Sequence, residues 1–283
     1  MNDSWDPVKK IEERSKQLQT SHENVLREEL HKCILYILSE MEFFKDGVFQ
    51  GGTALRIVYQ NFRFSEDLDF VFQTKDSHGF NAIEKKFAKI PVEVNKWFPF
   101  LSVTEGKWQK KSLSLRRYHF KVTSDSLHSV LLLQLEFANI PSHFNKIVPI
   151  HYEMYPFPIR VETEEEILMD KVIAFGLRDY LKGRDLWDLY YLVYLRKISI
   201  KSDIFTSTIL QKASDYGFSF ETFHHKYNRN LALLKRDGSS ILNVEMKRFM
   251  DNRLYNAYMP EFNEITTHIV TYLETVFCWD NHE

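Results

Sequence analysis

Two aspartates follow a glycine pair in the stretch GGTALRIVYQNFRFSEDLDF, which runs from Gly51 to Phe70. Leu68 to Phe72 is predicted to be a strand, and alternate strand residues share a face, so Asp67 and Asp69 are expected to project together. Two carboxylates on one face repel each other unless a cation neutralises them, and Mg²⁺ prefers oxygen ligands of this kind. The pattern favours a magnesium site, with an ordinary solvated strand end as the alternative.

The glycine pair precedes a predicted helix from Thr53 to Tyr59. A helix N-terminus presents N–H groups and positive dipole charge, and glycines let the backbone approach an anion closely. Gly51 and Gly52 are therefore candidates for binding phosphate, although a simple turn explains them as well. The glycine pair followed by an acidic pair is a more specific signal than either feature alone.

A third carboxylate, Glu136, lies in the apolar run LQLEF. Its neighbours Leu135 and Phe137 are predicted to face the core, so Glu136 faces the other side of the strand. Phosphoryl transfer with two metal ions uses a further acid close to the attacking hydroxyl. Glu136 is either that acid or a solvated residue at the edge of the sheet.

The order of predicted elements changes near residue 160. Thr163 and Glu166 have the spacing of a capping box at a helix start, and Asp185 is expected to begin the next helix. We predict an α+β (α/β) fold with a mixed sheet in 1–160, preceded by an N-terminal helix, and a mostly helical domain in 161–283. The segments behind this prediction are helices over 8–45, 79–98 and 163–179, strands within 99–140, and helical periodicity over 201–283.

Composition bounds the class of protein. The 283 residues are 44% hydrophobic and 15% aromatic, with a net charge of −2, so the chain is expected to fold and to bind nucleic acid only through local patches. Cys33 and Cys278 lie far apart, as expected for a protein of a reducing cytoplasm. We see neither a signal peptide at the N-terminus nor an apolar run of the ~20 residues that span a membrane.

The first motif closely resembles that of the AbiEii/AbiGii nucleotidyltransferase-like toxins, in the DNA polymerase β-type nucleotidyltransferase superfamily. Later motifs of that family follow in order. Glu136 matches its third acidic position, Lys171 in MDKVIAF matches its helical lysine, and RDLWDL, which contains Arg184, Asp185 and Asp188, matches its R-D-x-x-D-L motif. The resemblance spans about residues 48–195.

The resemblance implies a polymerase β-type core and a Mg²⁺-dependent enzyme that uses an NTP. It also implies a toxin of a bacterial type IV toxin–antitoxin or abortive-infection system, with an antitoxin encoded nearby as its partner. Relatives such as the MenT group transfer nucleotides to RNA, notably to the 3′ end of tRNA. On this basis we expect a cytoplasmic nucleotidyltransferase acting on RNA.

Residue roles carry over position by position. The catalytic residues would be Asp67, Asp69, Glu136, Lys171 and Asp185, and the first three would hold the metal. The nucleotide would be bound by Gly51, Gly52, Thr53, Ser65, Arg184 and Asp188. Without the family, Ser65 reads as a turn hydroxyl and Lys171 as a surface lysine. Asp185 reads as an N-cap and Asp188 as an acid in the first turn of a helix.

Two stretches are locally basic. Lys107 to Lys121 holds six Lys or Arg and no acid, with aromatic residues between them, as in a track for RNA or triphosphate or in a solvated hairpin. His225 to Arg253 is a second basic stretch, suited to gripping tRNA or to solvation. His224 and His225 read as a surface pair.

Other functions fit the same motifs. The acceptor of the nucleotide could be a protein or a small molecule, or the chain could bind GTP with weak turnover. The fold could also serve as an interaction module without catalysis, although the complete acidic set argues against that alternative.

Overall fold

Alternating apolar residues in the first half of the chain build one mixed sheet of eight strands in the computed structural model. The structure describes residues 6–73, 77–112, 114–125, 128–199 and 202–277. The strands are β1 (Val48–Gln50), β2 (Asp67–Val71), β3 (Ser102–Val103), β4 (Lys107–Lys111), β5 (Leu115–Ser124), β6 (Ser129–Ala138), β7 (Asn145–Tyr152) and β8 (Tyr155–Glu162).

The strand order is β3-β5-β6-β2-β1-β8-β7, and β4 also pairs with β5. β2 runs parallel to β6 and β1 runs parallel to β8, whereas the other pairs are antiparallel. The predicted mixed sheet is therefore present, and it places the first acidic motif on a central strand.

The chain divides into two compact units. The sheet unit comprises Met1–Val58 and Phe64–Glu162, and the helical unit comprises Tyr59–Arg63 and Thr163–Glu283. The short segment 59–63 therefore belongs with helices that follow it by a hundred residues or more. The mostly helical character predicted for the C-terminal part is observed.

One face of the sheet is covered and the other is open. The ring of Phe87 packs against Phe70, Tyr118 and Phe137, which come from three neighbouring strands. These three residues are buried, while the residues alternating with them along the strands are partly exposed. We call the side of the sheet that carries Asp67, Asp69, Arg117, His119, Gln134 and Glu136 the open face.

The helices of the sheet unit are α1 (Pro7–Leu18), α2 (His22–Glu40), α3 (Gly51–Ile57), α4 (Ser77–Phe87) and α5 (Ile90–Trp97). The segment predicted as helical over 8–45 is interrupted after α1, because Gln19 takes a left-handed conformation with φ 50° and Ser21 caps α2. The segment 79–98 also forms two helices. Pro91 lies in the first turn of α5, a position that tolerates proline.

The β7–β8 hairpin was not predicted. Three prolines argue against strands in this segment, because proline cannot donate to a ladder. The structure pairs Pro149 with Pro158 across the hairpin, and β7 lies at the edge of the sheet.

The helical unit contains α6 (Glu164–Leu177), α7 (Gly183–Tyr190), α8 (Ser202–Asp215), α9 (Phe220–Phe249), α10 (Asn252–Tyr258) and α11 (Phe262–Val276). Thr163 caps α6 by accepting a hydrogen bond from the Glu166 N–H, 3.3 Å away. Glu166 does not complete the capping box, because its buried carboxylate pairs with Lys212 at 2.8 Å. The N-cap reading of Asp185 is wrong, since Lys182 is the cap residue of α7 and Asp185 lies in the first turn.

Gly183 allows α7 to begin close to α9. A Cβ at this position would lie 2.7 Å from the Ile241 carbonyl oxygen of α9. Within the described ranges, no helix is long and apolar enough to cross a bilayer.

Candidate active site

The connection from β1 to α3 depends on Gly51. Its φ of +77° lies in the left-handed region that favours glycine. A Cβ there would also lie 2.8 Å from Asp69 Oδ2. Backbone conformation and the neighbouring carboxylate therefore both favour glycine at position 51. The position of Asp69 thus restricts which residue can stand at the start of the motif.

The acidic pair occupies the open face of β2. Leu68 and Phe70 are fully buried, while Asp67 and Asp69, which alternate with them, are only partly buried. This is the period-two alternation that the sequence predicts. Parallel pairing with β6 sets Asp69 opposite Glu136 and Asp67 opposite Gln134. The third acid of the sequence analysis thus lies one strand away from the pair.

Glu136 is engaged by an arginine on the next strand. Arg117 of β5 lies opposite Glu136 in the antiparallel register. Its Nε and Nη2 atoms lie 2.7 and 2.5 Å from Glu136 Oε2. Both side chains keep about a third of their surface exposed, at 32% and 27%, so solvent reaches this ion pair.

The chemistry of the donor set fits a hard divalent cation. Asp67 and Asp69 supply carboxylate oxygens from one face of one strand, and Gly51 leaves room beside Asp69 that a Cβ would fill. In the described part of the chain, however, no three His, Cys, Asp or Glu residues are grouped closely enough to hold a metal ion. The carboxylate of Glu136 lies against Arg117 in this arrangement, and its role as a third ligand stays a prediction.

The residues predicted to bind phosphate differ in accessibility. Gly51 and Ser65 are partly buried, whereas Gly52 and Thr53 are buried. The Thr53 hydroxyl donates to the carbonyl oxygen of Asp67. This bond ties α3 to the start of β2, so the Thr53 side chain acts on the site through the strand. Direct phosphate binding by Thr53 stays a prediction.

The helical unit gathers the other predicted residues into a buried ion network. Lys171 Nζ lies 2.8 Å from Asp185 Oδ1 and 2.8 Å from Asp188 Oδ2. Arg178 Nε lies 3.0 Å from Asp185 Oδ2. Lys171 is 9% exposed, so the surface-lysine alternative is wrong. The three motif residues contact one another as a unit.

Asp188 also binds two residues of the Gly51–Phe70 stretch to which the sequence analysis gave no role. Arg63 Nε donates to Asp188 Oδ1 at 2.7 Å, and Asn61 Nδ2 donates to the same oxygen at 2.8 Å. The indole N–H of Trp187 donates to Asn61 Oδ1 at 2.9 Å. Asn61, Arg63 and Asp188 are almost fully buried. Asp188 is therefore well placed to position Lys171 and the 59–63 segment.

Charge pairing outweighs burial in this network. Burial alone lowers the pKa of Lys171, but Asp185 and Asp188 raise it above its ordinary value. Burial alone raises the pKa of Asp188, but Arg63 and Lys171 lower it. Asp185 behaves in the same way, with its pKa lowered by Lys171 and Arg178. The lysine therefore keeps its positive charge at neutral pH.

Arg184 of the R-D-x-x-D-L motif lies at the edge of this network. Its backbone N–H donates to Glu245 Oε2 at 3.0 Å, and its guanidinium lies 4.4 Å from the centre of the Phe249 ring. The side chain is 20% exposed. Arg184 thus helps to attach α7 to α9, and a role in binding nucleotide stays a prediction.

Sequence reasoning missed Arg63, Asn61 and Arg117 as site residues. Arg63 and Asn61 lie inside the Gly51–Phe70 stretch but outside its glycine and acidic positions, and they meet Asp188 across 125 and 127 residues. Arg117 was visible only as one of six basic residues in its stretch. For Arg117 the missing information was the strand register, which sequence periodicity does not provide.

The fold is similar to two solved structures from Helicobacter pylori. One, assigned as a nucleotidyltransferase, gives a TM-score of 0.52 at 22% identity, covering 91% of this chain and 99% of the other. The second, JHP933, gives a TM-score of 0.51 at 21% identity, covering 90% of this chain and 95% of the other. The chain therefore has a nucleotidyltransferase-like fold. No curated protein matches the chain significantly in sequence.

The family follows from the sequence itself. The family model described as nucleotidyl transferase AbiEii toxin, type IV toxin–antitoxin system, matches residues 33–268, and the chain belongs to this family. The resemblance drawn from the Gly51–Phe70 motif is confirmed. Nucleotidyl transfer is thus the activity of its class, with an NTP as substrate and an antitoxin as partner.

Proposed function

We propose that this protein transfers a nucleotide from an NTP to RNA, with the 3′ end of tRNA as the acceptor. The observation that carries the proposal is the open face of β2. Asp67 and Asp69 project together beside a glycine that leaves space at Asp69, and Glu136 lies one strand away. This arrangement suits phosphoryl chemistry at two carboxylates. The RNA acceptor rests on the family resemblance and on the local basic residues.

Each residue has a role in this proposal. Asp67 and Asp69 hold Mg²⁺, and Glu136 joins them or accepts the proton of the acceptor hydroxyl. The metal would neutralise charge on the phosphates and favour departure of pyrophosphate. Gly51, Gly52, Thr53 and Ser65 lie along the phosphate chain.

Lys171 is the cation of this proposal on the ground of the family resemblance. Lys171, kept charged by Asp185 and oriented by Asp188, stabilises charge that develops on the triphosphate. Arg184 contacts the nucleotide. A reaction that consumes an NTP and RNA would take place in the cytoplasm, where the cognate antitoxin would meet the enzyme.

The test is transfer of label from each α-³²P-NTP to total tRNA in the presence of Mg²⁺. Asp69→Asn should abolish transfer and weaken Mn²⁺ binding measured by calorimetry. Asp125→Asn, at an exposed position just after β5, should leave both unchanged. Labelling of a protein or a small molecule instead of RNA would contradict the proposal that RNA is the acceptor. NTP binding without transfer to any acceptor would contradict the proposal that the protein is a nucleotidyltransferase.

A further inference from the structure

The basic stretch from Lys107 to Lys121 is divided between the two faces of the sheet. Lys111 and Arg116 both pair with Glu84 of α4, on the covered side. The other basic residues lie on the open face, because Lys107 is opposite His119 and Lys110 is opposite Arg117 in the register. Lys121 follows His119 by two residues on β5, so it shares that face. Only part of the stretch is therefore available to a ligand.

These cations continue directly from the acids. One row across the sheet runs Asp69, Glu136, Arg117, Lys110, and the adjacent row runs Asp67, Gln134, His119, Lys107. Neighbouring strands lie about 4.8 Å apart, so each row extends about 14 Å from an aspartate to a lysine. A polyanion lying along these rows would place its end at the carboxylates.

The described part of the protein offers no acid that neutralises the lysines of the open face. Lys107, Lys110 and Lys121 are exposed and pair with no acid among the described residues. Neither β4 nor β5 contains an acidic residue. Val130 and Leu132 of β6 are 58% and 53% exposed on the same face, and they lie opposite Thr123 and Lys121. Cations beside apolar side chains suit a strand whose bases are not already stacked in a duplex.

We propose that the open face of β4, β5 and β6 binds the acceptor RNA as a single strand. Its phosphates lie on Lys107, Lys110 and Lys121, and its 3′ end points toward Asp69. Arg117 exchanges Glu136 for the phosphate nearest the reacting hydroxyl. The inference rests on the proposed transfer to RNA and adds where, and in which form, the acceptor is bound.

The exchange at Arg117 is physically easy. Ion pairs that solvent reaches contribute little to stability, and the guanidinium carries five donors in a geometry that matches phosphate. Moving Arg117 to a phosphate would release the Glu136 carboxylate one strand from Asp69. Acceptor binding would thereby complete the set of three carboxylates.

Binding can be tested without catalysis. The probe is a fluorescein-labelled single-stranded RNA of about 12 nucleotides, followed by anisotropy with the full chain and no NTP. Lys110→Gln should weaken binding several-fold and reduce the slope of log K against log salt by about 0.7. Lys111→Gln is the matched control. It removes the same charge from the adjacent residue on the covered side, and it should leave affinity and slope unchanged.

Equal effects of Lys110→Gln and Lys111→Gln on RNA affinity would contradict the proposed binding surface, even if transfer activity is intact. Tighter binding of a duplex of the same sequence would overturn the single-stranded form. Absence of transfer to any RNA, with the Lys110 and Lys111 variants still differing in binding, would contradict the proposed function and leave the surface standing. The two failures are therefore distinguishable.

Arg117 is tested by steady-state kinetics. Arg117→Ala should raise the KM for RNA about tenfold or more and leave the KM for NTP unchanged, and Arg117→Lys should recover part of the loss. Circular dichroism checks that each variant folds. A rise in the KM for NTP would show that Arg117 binds a phosphate of the nucleotide. It would contradict the proposal that Arg117 moves from Glu136 to a phosphate of the acceptor RNA. A loss of kcat alone, with both KM values unchanged, would also overturn it.

Discussion

At Gly51 two separate constraints act on one residue. Its positive φ disfavours any side chain, and its Cα–H faces the carboxylate of Asp69. Gly217 has a similar φ of +80°, yet a Cβ there would meet nothing within 4 Å. The pair therefore separates backbone strain from crowding at the acid.

Gly51→Ala and Gly217→Ala should each lower the free energy of unfolding by about 1–2 kcal/mol, because alanine disfavours the left-handed backbone conformation. We expect Gly51→Ala to lose more, because its methyl group must displace Asp69, and to bind Mn²⁺ more weakly. Urea unfolding and Mn²⁺ titration measure the two effects. Equal losses of stability, with unchanged Mn²⁺ binding, would show that Gly51 does not shape the acidic site.

Asp188 of the helical unit binds two cations and an amide. Removing one partner of a buried pair leaves the others uncompensated, at a cost of about 3–5 kcal/mol. Asp188→Asn should therefore lower the free energy of unfolding by that amount. Asp237→Asn, which breaks the exposed pair with Arg236, should cause no measurable change.

The pH dependence of this effect has a definite sign. The folded pKa of Asp188 is lowered, so its contribution is present above the unfolded pKa of about 3.9 and is lost as the pH falls through the folded value. The deficit of Asp188→Asn should therefore be largest near neutral pH and shrink in acid. A deficit that grows in acid would contradict the assigned charges.

At the scale of elements, the approach of α7 to α9 sets where the R-D-x-x-D-L motif lies. Helix propensity predicts that Gly183→Ala stabilises the protein by about 1 kcal/mol. The structure predicts the opposite, because the new Cβ would meet the Ile241 carbonyl oxygen at 2.7 Å. Backbone atoms of a packed helix move only at a cost, and overpacking typically costs about 1–3 kcal/mol.

Gly238→Ala is the comparison for Gly183→Ala. The atoms nearest to its Cβ would be side-chain atoms of Leu234 and Thr266, at 2.7 and 2.6 Å. Side chains yield more readily than a carbonyl, so Gly238→Ala should destabilise less than Gly183→Ala in denaturant unfolding. The reverse order would show that α7 can shift away from α9 without loss.

Sequence periodicity predicted most elements and failed where contacts decide. The alternation of buried and exposed residues placed Asp67 and Asp69 on one face, because that depends only on the strand itself. Placing Glu136 beside Asp69 required the parallel pairing of β2 with β6, which local spacing does not specify. The β7–β8 hairpin was missed because its three prolines argue against strands. Pro149 lies on the edge strand β7, whereas Pro156 and Pro158 of β8 lie outside the pairing of β8 with β1, which is made at Val161.

At the scale of the whole molecule, one buried histidine should contribute to the loss of stability in mild acid. His31 of α2 is 2% exposed. Its Nε2 has no hydrogen-bond partner among the described residues. Burial, assisted by the charge of Arg27, lowers its pKa to about 3, against the opposing effects of Glu28 and of a backbone hydrogen bond to Glu66. The unfolded chain protonates it near pH 6.5.

A histidine with a lowered folded pKa contributes stability that is complete above about pH 6.5 and is lost as the pH falls toward its folded value. The free energy of unfolding should therefore decline from about pH 6.5 downward. In His31→Gln the decline should begin only near pH 4, where carboxylates titrate. His151→Gln, at an exposed position, should keep the wild-type profile. Superimposable profiles for His31→Gln and wild type would contradict this assignment.

The segment 59–63 has a consequence for how this chain can be made or divided. During synthesis Arg63 emerges about a hundred residues before Lys171 and 125 before Asp188, so the nascent chain carries an arginine whose acid does not yet exist. A gene fragment that begins at Thr163 would encode every helix from α6 to α11 and still lack Asn61 and Arg63. Asp188 would then be buried with Lys171 as its remaining cation. Dividing the gene between the strand region and the helix region therefore does not produce two fragments that each contain all the residues of their own folding unit.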